Sequence, residues 1–447
     1  MHALVQERLV ALLLITRCQL PSNEERLLIA HRVGFNFIHR LLHSQPSSSD
    51  DDTPAPAATM AVSPYQRLGL GILTLYSSVP SLVQQVAFLE QLPDILAIVT
   101  TATTSLQSTS TSEDILTITS AIQVLTDAVG CLAAVGAEPG GPQQLLKLRC
   151  HQAVTELLQQ LFATYRVLAP VQVVTDGSKS DTLPADNVDN TDTVEIADAE
   201  GDEPATDDNA DNAGLVTAIT DLQRLCMVLL TQLVQPQAVG GCSADVMLRV
   251  LITLASALES CPPTLLFFSL DALSAAVAAL AQSPPSARKR VVCAAARSWQ
   301  RQAARSLTSA IQSQLGPELR GLVLRLAARL CRVLGAQWVF TLDDKDGKAV
   351  DKRSSKQAPV LTGHKAFQLL TQLAHVEMRV ELEHDDLAVV LTKKNTLLAC
   401  CYIVQTAIGH LLRLDLEQAD VGSYEPVLAV AKVGQDWDVQ CCGMALA

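Results

Sequence analysis

Residues 322–333 read LVLRLAARLCRV, and the spacing of their apolar side chains decides the fold. Four apolar residues in this stretch recur every three or four positions, which places them on one face of an α-helix: Leu322, Leu326, Leu330 and Val333. The same spacing returns further along the chain at Leu397, Cys401, Val404, Ile408 and Leu411. No stretch shows the alternation of a β-strand over several turns. The pattern therefore predicts amphipathic helices, each with one stripe to bury.

Composition points to an all-α chain. Hydrophobic residues make up 49% of the 447 residues, but aromatic residues only 4%, so the apolar mass is mainly Leu, Ala and Val. One helical hairpin cannot bury its own stripe, whereas stacked hairpins bury a continuous core. We therefore expect an armadillo-like or HEAT-like α-solenoid. No strict repeat consensus chooses between these two repeat types.

Changes in composition suggest boundaries. We expect helical repeats over residues 1–170, with a mobile polar loop at about 44–59. Residues 171–213 are rich in acids and poor in apolar groups, and this composition predicts a disordered linker that interrupts the solenoid. Helical repeats resume over residues 214–416, and an irregular tail follows over residues 417–447.

Turn signals divide the first repeat stretch further. A helix is expected from about Glu24 to Val33, with Asn23 as its N-cap. Five more helices are expected before the linker: Leu68 to Tyr76, Ser81 to Leu92, Pro93 to Thr100, Asp114 to Cys131, and Pro142 to Ala169.

Charge is strongly segregated along the chain. Residues 288–332 contain ten Lys or Arg against one acid, Glu318, whereas the net charge of the whole chain is −13. Residues 176–211 contain thirteen acids and one cation, Lys179. The acidity therefore belongs to the tract, and the rest of the chain is nearly neutral.

Arginines in the basic stretch form two rows at helical spacing, which suggests a binding surface: Arg297, Arg301 and Arg305, then Arg325, Arg329 and Arg332. Trp299 is a further candidate anchor for a partner. An ordinary solvated helix face is the alternative. Acidic protein segments are the simplest ligands, and residues 176–211 could dock on residues 288–332 and mask them. No nucleic acid is expected as a partner, because the acidic tract would compete for the same residues. An adaptor that binds nucleic acid or anionic membrane through residues 288–332 is the alternative function.

Catalytic chemistry has weak support in the sequence. Residues His375 to Asp386 form the best candidate metal cluster, with Glu377, Glu381 and His384 on one helical face. Acids beside water at a helix end are common, so a solvated face is the preferred interpretation. His39 and His43 are four residues apart but lack a third ligand in the sequence, which favours surface positions. No motif of a nucleophile, phosphate loop or dinucleotide site is present, so we expect neither catalysis nor a cofactor.

The twelve cysteines are scattered without CxxC spacing, which favours reduced thiols in an intracellular protein. Apolar runs such as Leu9 to Ile15 are much shorter than the roughly 18 residues of a membrane span. No transmembrane helix is expected.

Several segments resemble the neurochondrin family of armadillo-like helical proteins. The first are ERLVALLLITR at Glu7 to Arg17 and VGFNFIHRLL at Val33 to Leu42. LRLAARL at Leu324 to Leu330 and the Trp338 turn are similar to a later helix and its turn. AFQLLTQLAHVEMRVELE at Ala366 to Glu383 and then Leu397 to Ile408 continue the resemblance in the same order.

The resemblance implies a cytoplasmic, non-catalytic adaptor that binds protein partners in signalling, with a role in neurite outgrowth in animals. The long acidic insertion departs from the family pattern, and the chain is expected to start late and stop early relative to family members. Membrane attachment through cysteines near the N-terminus is not carried over, because the first cysteine here is Cys18, inside an expected helix.

Overall fold

The computed structural model contains helices and no strand over the residues that it describes, which are 12, 14, 22–44, 62–108, 115–169, 208–235, 243–293, 297–313, 315–340, 363–383 and 387–417. The helices up to the acidic insertion are α1 Asn23–Val33, α2 Phe35–Leu42, α3 Pro64–Ser77, α4 Pro80–Val83, α5 Val86–Leu89, α6 Leu92–Ser108, α7 Ile115–Ala137, α8 Gly141–Lys147 and α9 Cys150–Leu168. The later helices are α10 Asp208–Val234, α11 Ala244–Ser260, α12 Leu266–Gln282, α13 Pro285–Val292, α14 Arg297–Gln312, α15 Pro317–Leu334, α16 Gln337–Phe340, α17 Gly363–Leu382, α18 Leu387–Thr392 and α19 Lys394–Glu417.

These helices stack in two layers. Layer A contains α6, α9, α11 and α14, each packed on the next. Layer B contains α3, α7, α10, α12, α15 and α19, packed in the same sequential manner. Each layer A helix pairs with the layer B helix that follows it, as α6 does with α7 and α11 with α12. The chain is therefore an all-α helical-repeat solenoid, as the periodicity predicted.

The core lies between the layers and consists mainly of Leu, Val and Ala. In α15 the predicted stripe is confirmed, because Leu322, Leu326 and Leu330 are all buried and Val333, near the helix end, is half-buried. Burying one such side chain stabilises the fold by roughly 1.5–3 kcal/mol, so stacked stripes supply most of the stability.

Direction alternates between the layers. The C-terminal ends of α7 and α10 approach each other, since a Cβ added at Gly136 would lie 2.5 Å from Gln232 Oε1. In layer A, Arg166 near the end of α9 donates from Nη2 to Oγ of Ser260 at the end of α11, at 2.5 Å. In both pairs the two helices of a layer run in the same direction. Helices α9 and α10 run antiparallel, since Cys150 at the start of α9 interacts with Cys226 in the C-terminal third of α10.

The stack continues across the acidic insertion. Helix α10 already begins at Asp208 and packs on both α7 and α9, which precede the insertion. Residues 170–207, which hold most of the predicted disordered linker, lie outside the described residues. So do residues 45–59 of the expected mobile loop and residues 418–447 of the expected tail.

Several helix ends differ from the sequence expectations. Ser22, not Asn23, is the N-cap of α1, and its hydroxyl accepts a hydrogen bond from Glu25 N at 3.2 Å. The single helix expected over Pro142 to Ala169 is two, α8 and α9. Arg149 separates them with a left-handed φ of 58°, a conformation that non-glycine residues seldom adopt. The helix expected from Ser81 is likewise two short helical turns, α4 and α5.

Among the described residues, five helical segments are long and apolar enough to cross a bilayer, judged by length and composition alone: Val86–Ser108, Ile115–Ala137, Ala213–Val234, Pro263–Gln282 and Lys394–Leu412. The sequence expectation considered only continuous apolar runs and therefore missed these segments. Small residues between the larger apolar ones keep these segments hydrophobic without a long continuous run. Each segment packs on neighbouring helices, as α7 does on α3, α6 and α10. Packing within the stack accounts for the apolar character of their buried faces.

Candidate partner-binding surface

Helix α15 presents a row of arginines on the outward face of layer B. Arg329 and Arg332 are exposed and Arg325 is half-buried, whereas the opposite side of the helix is buried. Pro317 begins the helix in its first turn, and Gly335 ends it with a φ of 75°, donating its N–H to Cys331 O at 2.9 Å. The sequence thus fixes both the ends of α15 and the side on which its arginines lie.

Hydroxyl groups hold two of these guanidinium groups. Arg325 donates from Nη1 to Thr396 Oγ1 on α19 at 3.0 Å. Arg329 donates from Nη1 to Ser274 Oγ on α12 at 2.5 Å. A hydroxyl positions a guanidinium without neutralising it, and no ion pair involves Arg325, Arg329 or Arg332 within the described part of the chain. The row keeps its positive charge and is held between the flanking helices.

The electrostatics of Arg329 agree with this arrangement. Although much of the Arg329 side chain is exposed, its guanidinium bonds to the buried Ser274 hydroxyl, and this partial burial lowers the pKa of the guanidinium. The positive charge of Arg325 lowers the pKa further. Asp271 opposes both effects and raises the pKa. Arginine stays protonated at neutral pH despite such shifts. The positive charges of Arg325 and Arg329 therefore repel each other in the unbound protein, and a bound anion would offset this repulsion.

The second predicted row lies on the other layer. Arg305 is exposed on α14, Arg301 is half-buried there, and the side chain of Arg297 lies outside the described residues. Helix α14 packs on α11 in layer A, and its buried side includes Ala303 and Leu307. Its exposed side faces away from layer B. The two rows that are consecutive in sequence therefore belong to opposite faces of the stack and do not form one surface.

Trp299 is not an anchor for a partner on this surface. Its side chain is 0% exposed and packs in the core, so its assignment as a binding residue was wrong. The reason is its position on the buried side of α14. Trp338 is likewise buried, and its Nε1 donates to Cys331 Sγ at 3.3 Å. Both indoles stabilise the stack.

The cluster proposed around His375 to Asp386 does not assemble as a metal site among the described residues. Glu377 is buried and pairs with Arg320, whose Nε lies 3.1 Å from Glu377 Oε2. Glu381 is also buried, with Lys393 Nζ at 4.0 Å from its Oε1. Residues 384–386, including His384, lie outside the described residues. The two carboxylates neutralise cations of neighbouring segments and do not form a solvated face.

One open pocket lies where α7 meets α8, lined by Val83, Leu89, Val135 and Gln144 among others. Its lining contains one carboxyl group, Glu138, which accepts a hydrogen bond from Gln84 Nε2 at 2.6 Å. A nucleophile with an adjacent base is the usual requirement for covalent catalysis. This pocket does not bring such a pair together.

Sequence reasoning missed an apolar surface at the last described helices. Several large apolar side chains there are 54–69% exposed: Val376 on α17, Leu387 and Leu391 on α18, and Leu398 and Leu412 on α19. Each helix pair in a solenoid buries one side on the preceding pair and one on the following pair. Within the described residues no pair follows α17 and α19, which accounts for the exposure. The apolar spacing identifies such residues but not whether another helix covers them.

Comparison with known families gives one match. The family model for neurochondrin matches residues 5–198 and 223–428, so its unmatched gap, residues 199–222, contains the second part of the acidic tract and the start of α10. A comparison with curated proteins finds no significant match. The family match covers most of the chain and agrees with the order of the resembling segments and with the helical-repeat fold. The chain belongs to the neurochondrin family.

Proposed function

We propose that this protein is a non-catalytic scaffold that holds acidic segments of partner proteins on the outward face of layer B. The observation that carries the proposal is the α15 row, in which Arg325 and Arg329 bond to hydroxyl groups and keep their charge. Charge that is already positioned binds an anion without a further ordering cost. Carboxylates of a polypeptide match guanidinium groups in geometry as well as in charge.

Family membership and the helical-repeat fold support a protein-interaction scaffold in general terms. Stacked helices form a long surface that presents side chains from several repeats to one partner. The same two observations favour a non-enzymatic protein. The scaffold would act by keeping its partners close to one another, which raises their effective concentration.

Acidic polypeptide is the ligand class that the chain favours over nucleic acid. Aromatic residues that stack on bases make up only 4% of the chain. The acidic tract at residues 176–211 would repel nucleic acid and anionic membrane from the same molecule. As part of the proposal, this tract also competes with partners for residues 288–332. The tract itself lies outside the described residues, apart from the start of α10.

The proposal places the scaffold in the cytoplasm, in a signalling role such as the neurite-outgrowth role that the resemblance implies. None of the eight cysteines in the described residues forms a disulfide, which supports a reducing compartment. The helices with apolar character are assigned to the stack, without a membrane span.

The test measures binding of a fluorescent Glu/Asp-rich peptide to the full chain at several salt concentrations. Arg329→Gln/Arg332→Gln removes two charges from the α15 row, and Arg301→Gln/Arg305→Gln removes two from the opposite face as a matched control. We expect the first variant to weaken binding about tenfold, since two surface ion pairs together contribute about 1.4 kcal/mol. The control should bind within about twofold of wild type.

Deleting residues 176–211 should tighten binding of the same peptide if the tract competes for the row. Equal affinities for the two double variants would contradict a role of the α15 row in binding. Tight binding of an oligonucleotide or of anionic vesicles that is lost in Arg329→Gln/Arg332→Gln would favour the alternative adaptor class.

A further inference from the structure

Three potential metal ligands from two separate helices come together near the N-terminal end of the described stack. They are His39 and His43 on or next to α2, and Asp94 in the first turn of α6. One ligand atom from each of these residues lies within 4.8 Å of the other two. His43 Nδ1 is 3.5 Å from Asp94 Oδ1, and the two imidazole rings have centroids 4.1 Å apart.

The fold produces this arrangement from simple elements. His39 and His43 are four residues apart, so they lie on the same side of one helical segment. Ile38, Leu41 and Leu42 are buried on the other side of α2, which leaves both imidazoles exposed. Asp94 comes from a different part of the chain and is partly buried, with 20% of its side chain exposed. The third ligand absent from the local sequence is thus supplied by tertiary packing.

The donor set matches a divalent transition metal. Imidazole suits Zn²⁺ and its neighbours in the first transition row, and two His residues at this helical spacing are a known zinc-binding arrangement. A tetrahedral Zn²⁺ site with bonds of about 2.0–2.1 Å holds its ligand atoms about 3.4 Å apart. The observed 3.5 Å between His43 and Asp94 agrees with that spacing. His39 is exposed, so a small rotation of its side chain completes the set.

We propose that His39, His43 and Asp94 bind one divalent transition-metal ion of the Zn²⁺ type, which ties α2 to α6. Three protein ligands leave one coordination position for water. The competing explanation is a simple ion pair between protonated His43 and Asp94. Such a pair is favoured at a helix C-terminus, but it assigns no role to His39. Dependence on His39 therefore distinguishes the two explanations.

The experiment titrates the full chain with Co²⁺ and follows the visible absorption, then displaces Co²⁺ with Zn²⁺. His39→Gln and Asp94→Asn each remove one ligand, and His31→Gln on α1 is a matched control that removes another exposed histidine. We expect wild type and His31→Gln to bind one equivalent with equal affinity. Each ligand variant should bind at least tenfold more weakly. Zn²⁺ at a hundredfold excess over its Kd should raise the melting temperature of wild type by roughly 3–5 °C.

Circular dichroism of the metal-free variants verifies that each is folded, so a loss of metal binding reports on the ligands alone. Four outcomes would contradict the three-ligand site. Wild-type affinity in His39→Gln, with weaker binding in Asp94→Asn, would overturn the three-ligand site and leave the ion bound by His43 and Asp94 alone. No stoichiometric binding of Co²⁺ by wild type would leave the ion pair as the explanation of this contact. Intense sulfur-to-cobalt absorption that is unchanged in both ligand variants would assign the ion to cysteines. Equal weakening in His31→Gln would show nonspecific binding.

Discussion

Arg320 Nε lies 3.1 Å from Glu377 Oε2, and this contact joins α15 of layer B to α17. The Glu377 side chain is only 4% exposed, whereas 33% of the Arg320 side chain reaches solvent. A carboxylate with so little access to water depends on its partner for stabilisation. The arginines of the basic stretch therefore have two roles. Arg320 neutralises a buried carboxylate, whereas the α15 row has no acidic partner within the described part of the chain.

Replacing Arg320 with Gln should destabilise the protein by about 3 kcal/mol, because it leaves Glu377 buried without a cation. Urea unfolding followed by circular dichroism measures this difference. Arg379→Gln is the matched control, since its pair with Glu383 at 2.7 Å is exposed on both sides and should contribute less than about 0.5 kcal/mol. Similar losses of unfolding free energy in Arg320→Gln and Arg379→Gln would contradict a larger contribution of the buried ion pair.

Truncation of Trp299 should affect stability and not partner binding. Trp299→Ala removes a fully buried indole and should cost about 3–5 kcal/mol in unfolding free energy. Trp299→Phe should cost less, because the indole Nε1 has no hydrogen-bond partner among the described residues that the substitution would remove. At a temperature where Trp299→Ala stays folded, it should bind the acidic peptide with wild-type affinity. Weaker binding there would restore Trp299 as a contact residue.

Two glycines of the α7–α8 region should respond oppositely to alanine. A Cβ at Gly141 would lie 1.7 Å from the carbonyl oxygen of Val135, so Gly141→Ala should destabilise by roughly 3 kcal/mol. Gly130 lies within α7, and no heavy atom of the described residues lies within 4 Å of its added Cβ, so Gly130→Ala should stabilise by about 0.5–1 kcal/mol. Thermal unfolding of both variants checks the two signs. A stabilising Gly141→Ala would contradict the close approach at this corner.

Alkaline pH should destabilise the fold partly through Cys131. Burial raises the pKa of the Cys131 thiol from 9.0 to about 12. Between these values the unfolded chain loses the thiol proton and the folded chain keeps it, so stability falls as pH rises, by about 1.4 kcal/mol per pH unit. Below pH 9 this contribution is fully present.

Urea midpoints at pH 8 and pH 10.5 test the role of Cys131. Cys131→Ala should lose about 2 kcal/mol less stability than wild type over this interval. Cys293→Ala, at an exposed position, should behave as wild type does. An equal pH dependence in all three proteins would rule out a contribution from the buried thiol.

The sequence predicts the fold better than it predicts the surfaces. The spacing of Leu322, Leu326 and Leu330 predicts both a helix and its buried side, because the three apolar side chains lie on a single face of that helix. The break at Arg149 escapes prediction, since neither Leu148 nor Arg149 is a residue type that favours a turn, and a left-handed φ is uncommon for arginine.

Surfaces depend on information that local spacing does not contain. Spacing shows that Arg305 and Arg329 are exposed on their own helices, but not that α14 and α15 present opposite faces of the stack. His43 and Asp94 become neighbours only when α2 and α6 pack into the same fold. Residue spacing identifies faces of single helices, and relations between helices require the structure.

The antiparallel packing of α9 and α10 has a consequence for the acidic insertion between them. The helix that enters the insertion and the helix that leaves it are anchored side by side, so the stack sets where the insertion starts and ends. The entropic cost of closing a loop between two fixed ends rises by only about 0.6 kcal/mol for each doubling of loop length. Additions or deletions at this point should leave the neighbouring repeats in register, and the number of acids carried there can vary independently of the scaffold.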